Sequence, residues 1–102
     1  MPPVNLNSPL QYDDVLPEEV DVVIIGAGVI GVCAARHLQQ AGVRVFLCEK
    51  GRVACEQSSR NWGWVRQQGR DAAELPIMMD SINSWEEIDR EIGADIGFER
   101  GG

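Results

Sequence analysis

The chain has 102 residues, 44% hydrophobic and 25% charged, the composition of one folding domain with no room for two separate cores. Sixteen acids against nine bases give a formal charge of −7, which argues against a general nucleic-acid surface, since phosphate neutralisation needs a basic face. Cys33, Cys48 and Cys55 form no CxxC pair and His37 is the sole histidine. That argues against a disulfide framework, a zinc site or any histidine-based triad.

Residues 1–19 read as an irregular lead-in, punctuated by Pro2, Pro3, Pro9 and Pro17. The lead-in lacks the basic and apolar blocks of a signal peptide, and no apolar run approaches the length of a membrane span. Unpaired cysteines then point to the cytoplasm. Val20 to Ile25 is β-branched almost throughout, the pattern of a strand buried on both faces in a parallel sheet. Gly26-Ala27-Gly28-Val29-Ile30-Gly31 follows at once. Residues 29–41 read as a helix, and Gly42 sits where a C-terminal glycine belongs. Residues 43–48 read as a second strand, closed by Glu49. Together these form one βαβ unit.

Residues 50–70 have no clean period and read as a long ordered loop with a short helical piece. They carry Lys50, Arg52, Arg60, Arg66 and Arg70 against Glu56 alone, a net of +4. The flanks are acidic: residues 1–21 carry −5 and residues 71–99 carry −8. One basic segment in an acidic chain suggests a local anion site, although chance clustering of surface arginines would look the same. Residues 72–92 read as a second helix, with Leu75, Met78, Met79, Ile82, Trp85, Ile88 and Ile92 on one stripe and Pro76 in its first turn. That stripe reads as a core face. Gly93 ends the helix. Residues 94–102 read as a turn leading into an unfinished strand.

The glycine motif carries the clearest chemistry. Gly26 permits the tight turn from strand to helix. Gly28 lets the backbone approach a pyrophosphate without a Cβ in the way, and Gly31 lets the helix pack on the strand. The first-turn N–H groups at Val29 and Ile30 and the helix dipole then face the phosphates. Glu49, 18 residues beyond Gly31, stands where a carboxylate accepts hydrogen bonds from the adenosine ribose. A carboxylate there repels a 2′-phosphate, which disfavours NADP. It does not separate FAD from NAD.

The run Glu-Gln-Ser-Ser-Arg-Asn-Trp-Gly-Trp-Val-Arg-Gln-Gln-Gly-Arg-Asp, residues 56–71, does separate them. With the glycine turn, it resembles the FAD-dependent amino-acid and amine oxidoreductases (D-amino-acid oxidase, glycine oxidase, sarcosine oxidase and bacterial D-amino-acid dehydrogenases) over roughly residues 20–100. It looks most like the bacterial dehydrogenases of D-amino acids or hydroxyproline-like imino acids. The resemblance implies FAD as cofactor. It implies that Ser58 and Ser59 bond the pyrophosphate or ribityl chain, and that Asn61, Trp62 and Gly63 lie near the isoalloxazine. Arg52 would lie near the adenine-side ribose or phosphate, with Lys50 and Gln57 in the same cradle. Cys55 departs from the family, in which a glycine is common there. Plain packing remains the alternative for Trp62 and Trp64, and a solvated surface for Arg66 and Arg70.

The expectation is therefore an α/β chain, the N-terminal part of a Rossmann-like FAD-binding domain: a βαβ unit, a long loop and a further helix. Residues 1–19 are the lead-in and residues 20–102 a partial FAD-binding domain whose substrate domain is absent. The implied activity is hydride transfer from a carbon next to nitrogen to the flavin, with a small amine or amino acid as substrate and no catalytic residue assignable in this chain. An NAD-linked dehydrogenase unit and a non-catalytic dinucleotide-binding protein are the alternatives. The chain alone is expected to be inactive and to bind FAD weakly or not at all. An oligomer or a missing C-terminal region would supply the rest.

Overall fold

A computed structural model describes residues 4–10 and 12–101. Pro2, Pro3 and Gly102 lie outside the described residues. The chain forms two compact units, Met1–Trp62 and Gly63–Gly102.

In the first unit β1 (Val22–Ile25) is followed by α1 (Val29–Gln40) and β2 (Val45–Cys48). The strands pair in parallel, Val22 with Val45 through Ile25 with Cys48. The ladder is extended at both ends. Asp21 and Val22 donate N–H bonds to the Arg44 carbonyl, and Gly26 donates to Cys48 at 2.7 Å. At the open end the exposed Arg44 guanidinium grips Asp21, with Nη2 2.9 Å from Oδ1.

The helix closes one residue earlier than the expected 41, and in a defined way. Gly42, at φ +81°, donates to Gln39, and Val43 donates back to Leu38. This double closure is a Schellman motif. It takes Val43 out of the second strand, which is why β2 begins at Val45 rather than 43. The helix packs on the face of β1 that carries Val22 and Ile24. The other face is not covered: Val23 is 56% and Ile25 89% exposed. The expectation of a strand buried on both faces is corrected here. A β-branched run records an affinity for a pleated apolar surface and cannot tell one covered face from two.

In the second unit α2 (Leu75–Ile92) starts three residues later than the expected 72. A helix running back to residue 72 would put the Pro76 ring against the carbonyl four residues before it. Instead Asp71 opens a turn, its Oδ1 accepting the Ala73 N–H at 2.8 Å, and Pro76 falls in the first turn of α2. Gly93, at φ +65°, ends the helix in the left-handed conformation. Ile82 and Ile88 are buried. Met79 and Ile92, on the predicted stripe, are more than half exposed. Residues 94–101 contain no strand, contrary to expectation. The Asp95 carboxylate accepts the Gly97 N–H in a tight turn, and Arg100 returns to α2, where it meets Glu86 at 3.0 Å and Asn83 at 3.4 Å. A segment closed on itself by side-chain bonds has no ladder to join.

No described helix is long and apolar enough to cross a membrane.

Candidate dinucleotide-binding site

The turn from β1 into α1 is the most tightly built part of the first unit. Ala27 is 1% exposed. Gly26 sits at φ +110°, a conformation that a side chain would strain. A Cβ on Gly31 would lie 1.9 Å from the Gly26 carbonyl oxygen and 3.4 Å from Ile24 Cγ2. Helix and strand therefore meet backbone to backbone, as the motif requires.

Gly28 has a different reason to be glycine. Its φ of −78° is open to any residue. The constraint is space: a Cβ there would lie 3.0 Å from Ser58 Oγ. That same hydroxyl accepts the Val29 N–H at 2.8 Å. Gly28 offers α1 no side-chain cap, and the first turn of α1 contains no acid. Ser58, 29 residues on, supplies the acceptor that a local N-cap would supply. The serine-rich loop thus reaches the helix N-terminus, where the backbone amides and the dipole favour negative charge.

Glu49 ties the other side. Its Oε2 accepts the Ala27 N–H at 2.9 Å and its Oε1 the Gly51 N–H at 2.8 Å. The Ala27 bond first, and the Gly51 bond second, hold the carboxyl below the usual glutamate range, with the exposed Lys50 beside it acting in the same direction. The group is ionised at neutral pH. A carboxylate offers about four acceptor positions, so two backbone bonds leave capacity for ribose hydroxyls.

The loop is bound to the turn a third time through Ala54, whose N–H donates to the Ala27 carbonyl at 2.9 Å. Ala54 adopts φ +59°, the only left-handed non-glycine among the described residues. Next to it Cys55 is 2% exposed, and its Sγ accepts the Arg52 N–H at 3.4 Å. Ala27, Ala54 and Cys55 are site-building residues that sequence reasoning did not select. Nothing in an alanine announces a left-handed backbone. The small size of Cys55 was a signal, and here it fills the buried underside of the loop.

The remaining expected residues divide. Gln57, Ser58 and Ser59 form a single 3-10 turn (Gln57–Ser59), and the Asn61 amide Nδ2 donates to the Ser58 carbonyl at 2.8 Å, closing that turn. Ser59 Oγ accepts the Val4 N–H at 3.2 Å. Arg52 is held by two carbonyls, Nε donating to Ser8 and Nη1 to Gly51 at 3.1 Å. Gln57 and Ile30 are exposed, and Trp62 is 92% exposed. Gly63, at φ +68°, opens the second unit. The structure thus gathers Gly26, Gly28, Val29, Gly31, Glu49 and Ser58 at one point. Arg52 and Ser59 lie on the same loop, facing the lead-in.

The family model described as FAD dependent oxidoreductase matches residues 21–102. Monomeric sarcosine oxidase of Streptomyces avermitilis is 35% identical over 85 residues, which is 80% of this chain and 22% of that protein. The mitochondrial dimethylglycine dehydrogenase of Homo sapiens is 30% identical over 95 residues, 92% of this chain and 11% of that protein. Among solved structures, the L-amino acid deaminase of Proteus vulgaris matches with a TM-score of 0.77 at 32% identity, covering 82% of this chain and 20% of that one. The chain spans about a fifth or less of the length of these relatives.

Proposed function

Because this chain belongs to the FAD-dependent oxidoreductase family, we propose that it forms the ADP-side cradle of a flavoprotein that oxidises a carbon–nitrogen bond of a small amine or amino acid. The observation that carries this reading is the meeting of Gly28, Val29 and Ser58: the Ser58 hydroxyl accepts the Val29 N–H at the helix N-terminus at 2.8 Å and stands 3.0 Å from where a Gly28 Cβ would be. A diphosphate is the ligand that such a place suits, since it brings negative charge and several acceptor oxygens to first-turn amides and a hydroxyl.

Each residue then has a part. Gly26, Gly28 and Gly31 keep the backbone close to the diphosphate, the Ile30 amide faces it, and the Val29 N–H reaches it through the Ser58 hydroxyl it is bonded to. Ser58 turns its hydroxyl to the same oxygens. Glu49, ionised and held by the Ala27 and Gly51 amides, takes the adenosine ribose and disfavours a 2′-phosphate. Lys50, Arg52 and Ser59 add positive field and hydroxyl capacity along the loop. Gln57, Asn61, Trp62 and Gly63 lead toward the isoalloxazine. FAD, when bound, supplies the hydride acceptor for the carbon next to nitrogen. This chain supplies position and charge, and we assign it no catalytic residue.

The finer substrate class follows the run at residues 56–71, which favours D-amino acids or hydroxyproline-like imino acids. The exposed apolar face at Val23 and Ile25 suits cover by further chain, within a subunit or between subunits. Three free thiols suit a cytoplasmic location.

The test is a titration of the labelled full chain with ADP, FMN and NADP, followed by amide NMR. ADP is expected to shift Gly26 to Gly31, Glu49 to Gly51 and Ser58, with weak affinity. FMN, which lacks the adenosine half, is expected to leave those amides in place, and NADP to bind more weakly than ADP. Equal shifts with FMN, or none with ADP, would end this reading.

A further inference from the structure

The lead-in is not merely irregular. Residues 5–8 close on themselves: the Ser8 N–H donates to the Asn5 carbonyl at 2.9 Å, the Asn5 N–H to Ser8 Oγ at 3.1 Å, and the Asn7 N–H to Asn5 Oδ1 at 2.9 Å. A turn with three internal bonds is a shaped object. Among the described residues, three of its contacts fall on the loop after β2. The Val4 N–H donates to Ser59 Oγ at 3.2 Å. The Ser8 carbonyl accepts from Arg52 Nε. The Leu6 Cδ2 lies 3.1 Å from where a Gly51 Cβ would stand, so it seats on bare backbone.

Each of these loop residues has a neighbour that is tied to the opposite side. Ser59 faces Val4, while Ser58 faces the N-terminus of α1. Gly51 touches Leu6, while its N–H bonds Glu49. Arg52 reaches Ser8, while Ala54 bonds the Ala27 carbonyl. The loop is thus held between the glycine turn on one side and residues 4–8 on the other.

We propose that residues 4–8 are a buttress for the cofactor loop, holding Gly51, Arg52 and Ser59 in the conformation that receives the nucleotide. The part concerning the nucleotide rests on the FAD reading above. The contacts favour a buttress over a plug. Ser59 uses an acceptor position on Val4 and keeps its own O–H to donate. Arg52 is pinned through carbonyls and keeps its charge beside the loop. No hydrogen bond joins the described lead-in to Gly28 or Val29, where the diphosphate would sit, and Ser58 Oγ is the atom that a Gly28 Cβ would meet. Ordering a loop before the ligand arrives removes part of the entropic cost of binding.

The test uses the full chain with Val4→Pro, which deletes the N–H given to Ser59, combined with Leu6→Ala, which empties the seat on Gly51. Leu10→Ala, in the exposed lead-in beyond the turn, is the control. Amide hydrogen exchange is read over residues 50–60 without ligand. The buttress predicts exchange there faster by about tenfold in the double variant, with β1, α1 and the control unchanged. It further predicts a dissociation constant for FAD raised by about fivefold. Unchanged loop exchange overturns the proposal. So does tighter FAD binding in the double variant, the signature of a plug. If the native chain takes no FAD, as a partial FAD-binding domain would, loop exchange alone decides whether residues 4–8 fix the loop, and unchanged exchange overturns the proposal.

Discussion

Between Gly26 and Gly31 almost every group meets an opposing one: Gly26 oxygen against Gly31, Ala27 N–H against Glu49, Ala27 carbonyl against Ala54, Val29 N–H against Ser58. A few residues earlier in the chain, Val23 and Ile25 present apolar side chains that remain 56% and 89% exposed. The two regions teach different lessons about where a small unit is determined. Its buried residues, Ala27 and Cys55, are small and lie where backbone hydrogen bonds converge. Its large aliphatic side chains are spread over a half-exposed sheet and contribute less than their size suggests, because stabilisation follows the area removed from water.

The sharpest way to break this contrast is a single methyl group. Gly31→Ala puts a Cβ 1.9 Å from the Gly26 oxygen, which is backbone and has no rotamer to yield. The turn must open, at about 3 kcal/mol, the upper range for overpacking. Val23→Thr, on the exposed face, should change stability by less than about 0.5 kcal/mol. Urea denaturation of both variants reads the difference. Equal losses would show that the turn is not the determined region.

The second comparison lies within the turn. Gly28→Ala crowds Ser58 Oγ at 3.0 Å, whereas Ser58→Ala deletes the acceptor of the Val29 N–H. Loss of such a cap costs about 1 kcal/mol. Once the hydroxyl is gone, the new methyl group has room. Gly28→Ala should therefore cost less in the Ser58→Ala background, by about 1 kcal/mol of coupling. Additive losses in a double-mutant cycle would mean that Gly28 is needed for another reason.

How much of this was legible in the sequence depends on what each residue does. Gly26 and Gly31 announced themselves, since their motif encodes a backbone conformation and a close approach. Glu49 was legible as a carboxylate at the right distance, but not as a bridge between two segments, because its partners are main-chain amides that carry no residue code. Ser58 was assigned to a ligand through resemblance, and its bond to Val29 spans 29 residues. Spacing cannot reveal such a contact. The strand ends at Val43 and Arg44 were misjudged because helix closure and an ion pair competed for the same residues.

Glu49 makes the turn sensitive to acid. Its folded carboxyl lies below the ordinary value of 4.5, so its contribution is fully present above that value and is lost as pH falls through the lower folded value. Asp21, lowered chiefly by Arg44, loses stability in the same acid range, so the wild-type curve alone does not isolate Glu49. Glu49→Gln does. The amide keeps one acceptor and turns an NH2 toward one of two N–H donors, so the variant is weaker at neutral pH and approaches wild type as pH falls through the folded carboxyl's lowered value. A stability difference independent of pH between 7 and 3 would remove the carboxylate from this role.

The smallest effect tests the loop side of the turn. Ala54 adopts φ +59°, where a Cβ costs about 1 to 2 kcal/mol relative to a right-handed residue. Ala54→Gly relieves that cost and adds about 0.5 to 1 kcal/mol of backbone entropy to be lost on folding. The relief is the larger quantity, so the variant should gain a few tenths to about 1 kcal/mol. The bond from residue 54 to the Ala27 carbonyl belongs to the backbone and survives the change. Thermal melts of the two chains, with amide exchange at residue 54, read both parts. A destabilised Ala54→Gly with faster exchange would mean that the alanine methyl group, packed beside Cys55, holds the loop on the turn more firmly than its backbone strain loosens it.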